Sequence, residues 1–277
     1  MQATHSSRYE PIVATLARQA AGSAEDRTPH APRSGEAVFS CIRMLPLVRR
    51  ALGETGIDIT DALAALVEAA DADAPRFTDG IGHSREVYHH LCLRLARCAV
   101  RSEEERDAFT RAQAWPATRC DHDTNDVSVA LWRLVGARGS IDDDALIERV
   151  DAWLDKKRDG GSLQPQTPED SPDHWTFREL AGLHAVACLA DAFEAHPCGG
   201  RWSQRVREVA TFHQDHTQPD YTTYQPWAVA VFARDQATAN FAEQQLHDVE
   251  THLTLHGGGG AVIPALLLAD ATRMLTP

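Results

Sequence analysis

The sequence predicts an all-α protein, an α/α toroid of about six helical hairpins, with an open superhelix of α-hairpins as the competing arrangement. Composition is the first observation behind that prediction. Apolar residues make up 43% of the 277-residue chain, many of them alanine and leucine, while aromatics reach only 6%. Alanine and leucine are the strongest helix formers, and the β-branched residues that favour strands are comparatively few. The second observation is recurrence. Strongly apolar segments begin near Ser34, Ser84, Thr124, Phe177, Thr223 and Gly260, spaced roughly 37 to 53 residues apart, as in helix-pair repeats. Amphipathic segments alternating with them are the third.

The elements follow in chain order. Tyr9 to Ala20 reads as an outer helix, and Ala21 to Pro32, rich in Ala, Pro and charge, as a flexible connection. Residues 1–33 are therefore assigned to an N-terminal helix and connection, and 34–277 to a single toroid domain. Ile59, Leu63, Leu66 and Ala70 form one apolar stripe, the mark of a helix with one face in solvent. "VYHHLCLRLARCAV" (Val87 to Val100) is apolar around most of its circumference, so protein should surround it. From Asp142 to Lys157, Leu146, Val150 and Trp153 share a stripe, with Glu148, Arg149, Asp151 and Asp155 turned away. Arg201 to Phe212 repeats the pattern with Trp202, Val206 and Val209. "AVIPALLLADATRML" (Ala261 to Leu275) is again apolar all round. Helices buried on every side, alternating with half-exposed ones, are satisfied by an inner barrel wrapped by an outer ring.

Charge and cysteine usage bound the function. Formal net charge is −13 and no run of Lys and Arg interrupts it, which argues against nucleic acid as a partner. Met1 to Ser7 lacks the apolar core of a secretory signal. The longest apolar stretch, Ala261 to Ala269, falls well short of the roughly 18 to 20 residues a membrane span needs. Six cysteines (Cys41, Cys92, Cys98, Cys120, Cys188 and Cys198) show no CxxC spacing and read as reduced thiols of a cytoplasmic protein.

Two segments carry a resemblance. "DGGSLQPQTPEDSPDHWTFRELAGLHAVACLADAF" (Asp159 to Phe193) and "GGGGAVIPALLLADATRML" (Gly257 to Leu275) each lead from a glycine-containing loop into an apolar helix. In this the C-terminal half resembles the terpenoid cyclase/protein prenyltransferase type of α/α toroid. The resemblance implies the fold and leaves the activity open. Class II cyclases of that type carry DxDD. Here "SIDDD" has isoleucine at the first position, and Asp142, Asp143 and Asp144 read as helix-capping residues. The prenyltransferase zinc site contains Asp-x-Cys, which this chain lacks; Cys120-Asp121-His122 has the wrong spacing.

The repeat places every junction from an outer into an inner helix on one rim. In order, those junctions hold His83; Asp121, His122 and Asp123; Asp173, His174 and Trp175; His216, Asp220, Tyr221, Tyr224 and Trp227; and His256 ahead of Gly257 to Gly260. Inner-helix N-termini converging there present unpaired N–H groups and partial positive charge. They favour neutral histidines and ionised aspartates, while aromatic rings supply walls for a sugar or apolar ligand. Glu179, Asp220, Tyr224 and His174 are the candidates for acid–base chemistry, Glu179 because it interrupts an otherwise apolar helix. His83, Asp121, His122, Asp123, Trp175, His216, Tyr221, Trp227 and His256 are the candidate ligand-binding set, and a divalent metal is the one cofactor that such a rim suggests. Caps, turns and satisfied histidines explain the same residues without function, since the chain has fourteen histidines. The opposite junctions, "GETGIDIT", "VRSEEE", "RGSIDDD" and "HPCGGRW", read as ordinary caps and turns. Two functions therefore stay open: an enzyme acting on a carbohydrate or isoprenoid-like small molecule, or a non-catalytic scaffold for a ligand or protein.

Overall fold

A computed structural model describes residues 3–25, 42–71, 85–117, 124, 126–155, 161–163, 172–217, 226–256 and 261–276. Among them are twelve α-helices and no β-strand. The helices are α1 (Ala3–Glu25), α2 (Leu45–Ala51), α3 (Thr60–Asp71), α4 (Arg85–Ala99), α5 (Glu103–Ala117) and α6 (Val127–Ala137). They continue with α7 (Asp143–Leu154), α8 (Pro172–Ala192), α9 (Pro197–His216), α10 (Val229–Phe232), α11 (Ala239–His256) and α12 (Val262–Leu275).

Local chemistry sets several of the starts. Asp126 caps α6, its Oδ1 accepting from the backbone N–H of Ser128 at 2.9 Å and Val129 at 3.2 Å. Asp142 does the same for α7 through Asp144 and Ala145, so the Asp triplet is a cap. At α5, Ser102 Oγ accepts from the Glu105 N–H while Glu105 Oε2 accepts from the Ser102 N–H, both at 3.1 Å. That reciprocal pair is a capping box. Pro197 occupies the first turn of α9, where a missing N–H leaves nothing unsatisfied.

The even-numbered helices are the apolar set, and they pack in a cycle. α2 packs on α4, α4 on α6, α6 on α8, α8 on α10, α10 on α12, and α12 returns to α2. The odd-numbered helices cover them: α5 packs on α4 and α6, α7 on α6, α9 on α8, α11 on α10 and α1 on α12, while α3 packs mainly on α5. Burial follows the sequence pattern. Leu183, Val186, Leu266 and Leu267 have no exposure, whereas Glu148 is exposed and Arg149 and Arg205 are half-buried. Every residue of α6 is buried. Tyr9, Val13, Ala17 and Ala20 of α1 join the same core as the even helices.

Three details depart from the sequence expectation. The fourth apolar helix begins at Pro172 instead of near Phe177, which puts His174 inside its first turn. The fifth is a single turn, Val229–Phe232, reached through a turn at Trp227 and Ala228. It stops early because Thr238 Oγ1 donates to the Phe232 carbonyl at 3.1 Å, and Asp235 organises the turn that follows through the Ala237 N–H at 2.9 Å. α5 shows no broad apolar stripe: among its described side chains Ala108 and Ala112 are the buried apolar ones, with Phe109 partly covered, and Glu105 is buried beside them.

Candidate functional site

The ends of α4, α8 and α12 meet α10 and α9 around a cavity of about 850 Å³. Arg94 and Cys98 reach it from the end of α4, Ala187, Ala190 and Asp191 from the end of α8, and Arg273, Met274 and Leu275 from the end of α12. Val231 contributes from α10 and Arg234 from just beyond it, with Gly199 and Gly200 from the first turn of α9 and Val206 and Arg207 from its middle. The lining joins an apolar wall to four guanidinium groups and three carboxylates (Asp191, Glu194 and Asp235). Arg234 is held by Asp191 and by the Met274 carbonyl. Arg207 and Arg273 have no hydrogen-bond or ion-pair partner among the described residues.

Arg94 links the cavity to the middle of the helix cycle. Its Nε donates to Asp270 Oδ1 at 2.8 Å and Oδ2 at 3.1 Å. Asp270 Oδ2 also lies 2.9 Å from His184 Nε2, and the Cys188 thiol points to it at 3.7 Å. On the far side of its ring, His184 Nδ1 meets the Trp227 carbonyl. Burial alone would raise the Asp270 pKa, but Arg94 and His184 outweigh it and hold the carboxyl below the usual carboxylate range. Burial likewise opposes the Arg94 charge, and the Asp270 carboxylate overrides it. Burial pushes the Cys188 thiol well up, and Asp270 adds to that. Trp132 and Trp227 pack against the His184 ring, with centroids 5.7 and 5.9 Å away. The middle of the cycle is therefore filled by side chains at this level.

Among the sequence candidates, Glu179, Trp175 and His216 come together where α8 begins and α9 ends. Glu179 has no exposure; its Oε2 accepts from the Leu163 N–H at 2.6 Å and lies 3.5 Å from His213 Nε2. Trp175 packs edge-on to Phe212 and near His213, and the exposed His216 ring stacks on Phe212 at 4.6 Å. Trp227 lies elsewhere, fully buried beside Tyr88, Trp132 and His184. His83, Asp121, His122, Asp123, Asp220, Tyr221 and Tyr224 lie outside the described residues, as do the side chains of His174 and His256. The shared rim they were expected to line is thus not among the described parts of the molecule.

Sequence reasoning passed over the cavity and the central cluster. The cavity takes in Gly199 and Gly200 of "HPCGGRW", a segment read as a cap and turn. The signal for the cluster was available: His184 and Cys188 stand four apart on an apolar helix, and Asp270 breaks the apolar run of α12. Comparison with family models, with curated proteins and with solved structures returns no match for this chain.

Proposed function

We propose that this protein is an α/α toroid that binds a small amphiphilic anion in the cavity where α4, α8 and α12 end. The cyclic packing of the apolar helices, closed by α12 on α2, supports the toroid. One observation carries the ligand class: Arg207 and Arg273 stand without partners in a cavity that also presents Ala187, Val206, Val231 and Leu275. An apolar wall with two available guanidinium groups suits a molecule with a hydrocarbon body and a phosphate or carboxylate head. The volume falls within the range of roughly 300–1,000 Å³ usual for small-molecule sites.

Of the two ligand classes the sequence left open, the isoprenoid-like one fits better. Among the described residues no aromatic ring lines the cavity, so a sugar would lack a stacking platform there. The carbonyl ends of α4, α8 and α12 disfavour an anion. The first turn of α9, with Gly199 and Gly200 on the cavity wall, offsets them. The filled centre of the cycle favours binding at its end over chemistry deep within it.

Calorimetry with farnesyl monophosphate, farnesol, inorganic phosphate and maltotriose tests this reading. Farnesyl monophosphate should bind tightest, farnesol more weakly, and Arg207→Ala/Arg273→Ala should bring the first down to the level of the second. Preferential binding of maltotriose, or an affinity for farnesyl monophosphate unchanged in the double variant, would refute it.

A further inference from the structure

We infer that His184, Cys188 and Asp270 form a zinc-binding site under the floor of the cavity, independent of the ligand it takes. The three residues come from two helices and each offers one donor atom, all lying within 4.8 Å of one another. Imidazole nitrogen, thiolate sulfur and carboxylate oxygen are the donor set of zinc. Zinc bonds of about 2.0 to 2.3 Å in a tetrahedron keep ligand atoms roughly 3.2 to 3.6 Å apart. The distances are 2.9 Å from His184 Nε2 to Asp270 Oδ2 and 3.7 Å from Cys188 Sγ to that same oxygen.

Hydrogen-bond accounting supplies a second, independent reason. The Trp227 carbonyl can only accept, so the contact with His184 requires its Nδ1 to carry a proton. The other nitrogen, Nε2, then faces a carboxylate oxygen, which is also an acceptor. Two lone pairs 2.9 Å apart repel unless a positive centre lies between them, either a second ring proton or a metal ion. The carbonyl contact at Nδ1 is itself the outer support that fixes a zinc-bound histidine in the required tautomer. Arg94 plays the same part for Asp270, taking its shortest bond at Oδ1 and leaving Oδ2 turned to His184 and Cys188.

The spacing differs from the Asp-x-Cys pattern discussed above: here the thiol follows the imidazole by one helical turn, and the carboxylate comes from the last helix. Met274 stands between the cluster and the cavity, its Sδ 3.7 Å from Cys188 Sγ, so an ion could reach the site when that side chain moves. Binding would displace the thiol proton of Cys188 and the proton between His184 and Asp270, with no change of oxidation state. About two protons should therefore leave for each ion bound.

The test uses the full chain, purified without a metal-affinity tag, stripped with chelator and titrated with Zn²⁺ and with Co²⁺. The inference expects one ion per chain, release of about two protons in weak buffer, and a thiolate-to-cobalt charge-transfer band in the near ultraviolet. Cys188→Ser should abolish the band while circular dichroism stays helical, and Cys98→Ser at an exposed cysteine should keep it. Failure of the wild-type chain to bind a stoichiometric ion would overturn the inference, leaving an imidazolium–carboxylate pair in its place. A charge-transfer band that persists in Cys188→Ser would overturn it equally. Farnesyl monophosphate binding is read separately, so either reading can fail without the other.

Discussion

The His90 imidazole of α4 lies directly over Gly136 of α6, so close that a Cβ on Gly136 would meet its Nδ1 at 2.2 Å. This approach is where two neighbouring helices of the apolar cycle interlock. His90 is buried, and neither ring nitrogen has a hydrogen-bond partner among the described residues. Gly136→Ala would force the ring into a packed core, an overpacking cost of about 1–3 kcal/mol. Against it stands the gain from replacing a helical glycine by alanine, about 1 kcal/mol. The expected result is net destabilisation of up to about 2 kcal/mol, measured as a lower urea midpoint with an unchanged slope. A variant as stable as the parent would show that α4 and α6 are not packed this closely.

The same histidine sets a pH dependence. Burial first, then the neighbouring charges of His89 and Arg133, hold its pKa well below the ordinary value of 6.5. In the unfolded chain His90 takes up a proton near pH 6.5; in the folded protein it stays neutral to lower pH. The unfolded state therefore binds more protons in that window, and stability falls as pH drops below about 6.5, by up to about 1.4 kcal/mol per pH unit from this group. Above that pH its contribution is fully present. Unfolding free energies at pH 7.5 and 5.5 should differ in this direction, and His90→Leu should flatten the difference.

Arg50 and Glu105 form a buried ion pair at 3.0 Å, joining α2 to the start of α5. The Glu105 carboxylate also accepts from the backbone N–H groups of Arg101 at 2.7 Å and Ser102 at 3.1 Å. Glu105→Ala strands the arginine and opens the helix cap, with an expected loss of about 3–5 kcal/mol. Ser102→Ala removes only the hydroxyl of the cap and should cost about 1 kcal/mol. Equal effects of the two substitutions in chemical denaturation would refute the ion pair's role.

Leu267 sits at the centre of α12 with no exposure. Leu267→Asp places an unpaired charge in the core, at a cost of several kcal/mol out of a total stability of about 5–15 kcal/mol. Loss of soluble expression is the expected outcome. Normal yield and melting temperature would mean that α12 is not an inner helix.

Helices and their burial were legible in the sequence because both depend on side-chain period. The runs Val87 to Val100 and Ala261 to Leu275 correspond to α4 and α12, and the Leu146, Val150, Trp153 stripe to α7. Lengths were less legible where tertiary contacts decide them. α10 ends after one turn because Thr238 caps it from six residues on, a contact no local pattern announces. The site was legible in chemistry and not in position. His184 and Asp270 each interrupt an apolar helix, but only the packing of α4, α8 and α12 brings them, with Cys188, to Arg94. Loop histidines drew the functional reading to one rim, while the cavity of the described residues takes in Gly199 and Gly200 of a segment read as a cap and turn.

Amide hydrogen exchange with and without farnesyl monophosphate tests the ligand site most directly. Peptides covering 187–207, 231–236 and 273–276 bound the cavity and should gain protection together, while the exposed end of α11 around Leu255 should not change. Protection confined to 172–180 and 212–217, where Trp175, Glu179 and His216 gather, would place the ligand at the other end of the helices and contradict the account.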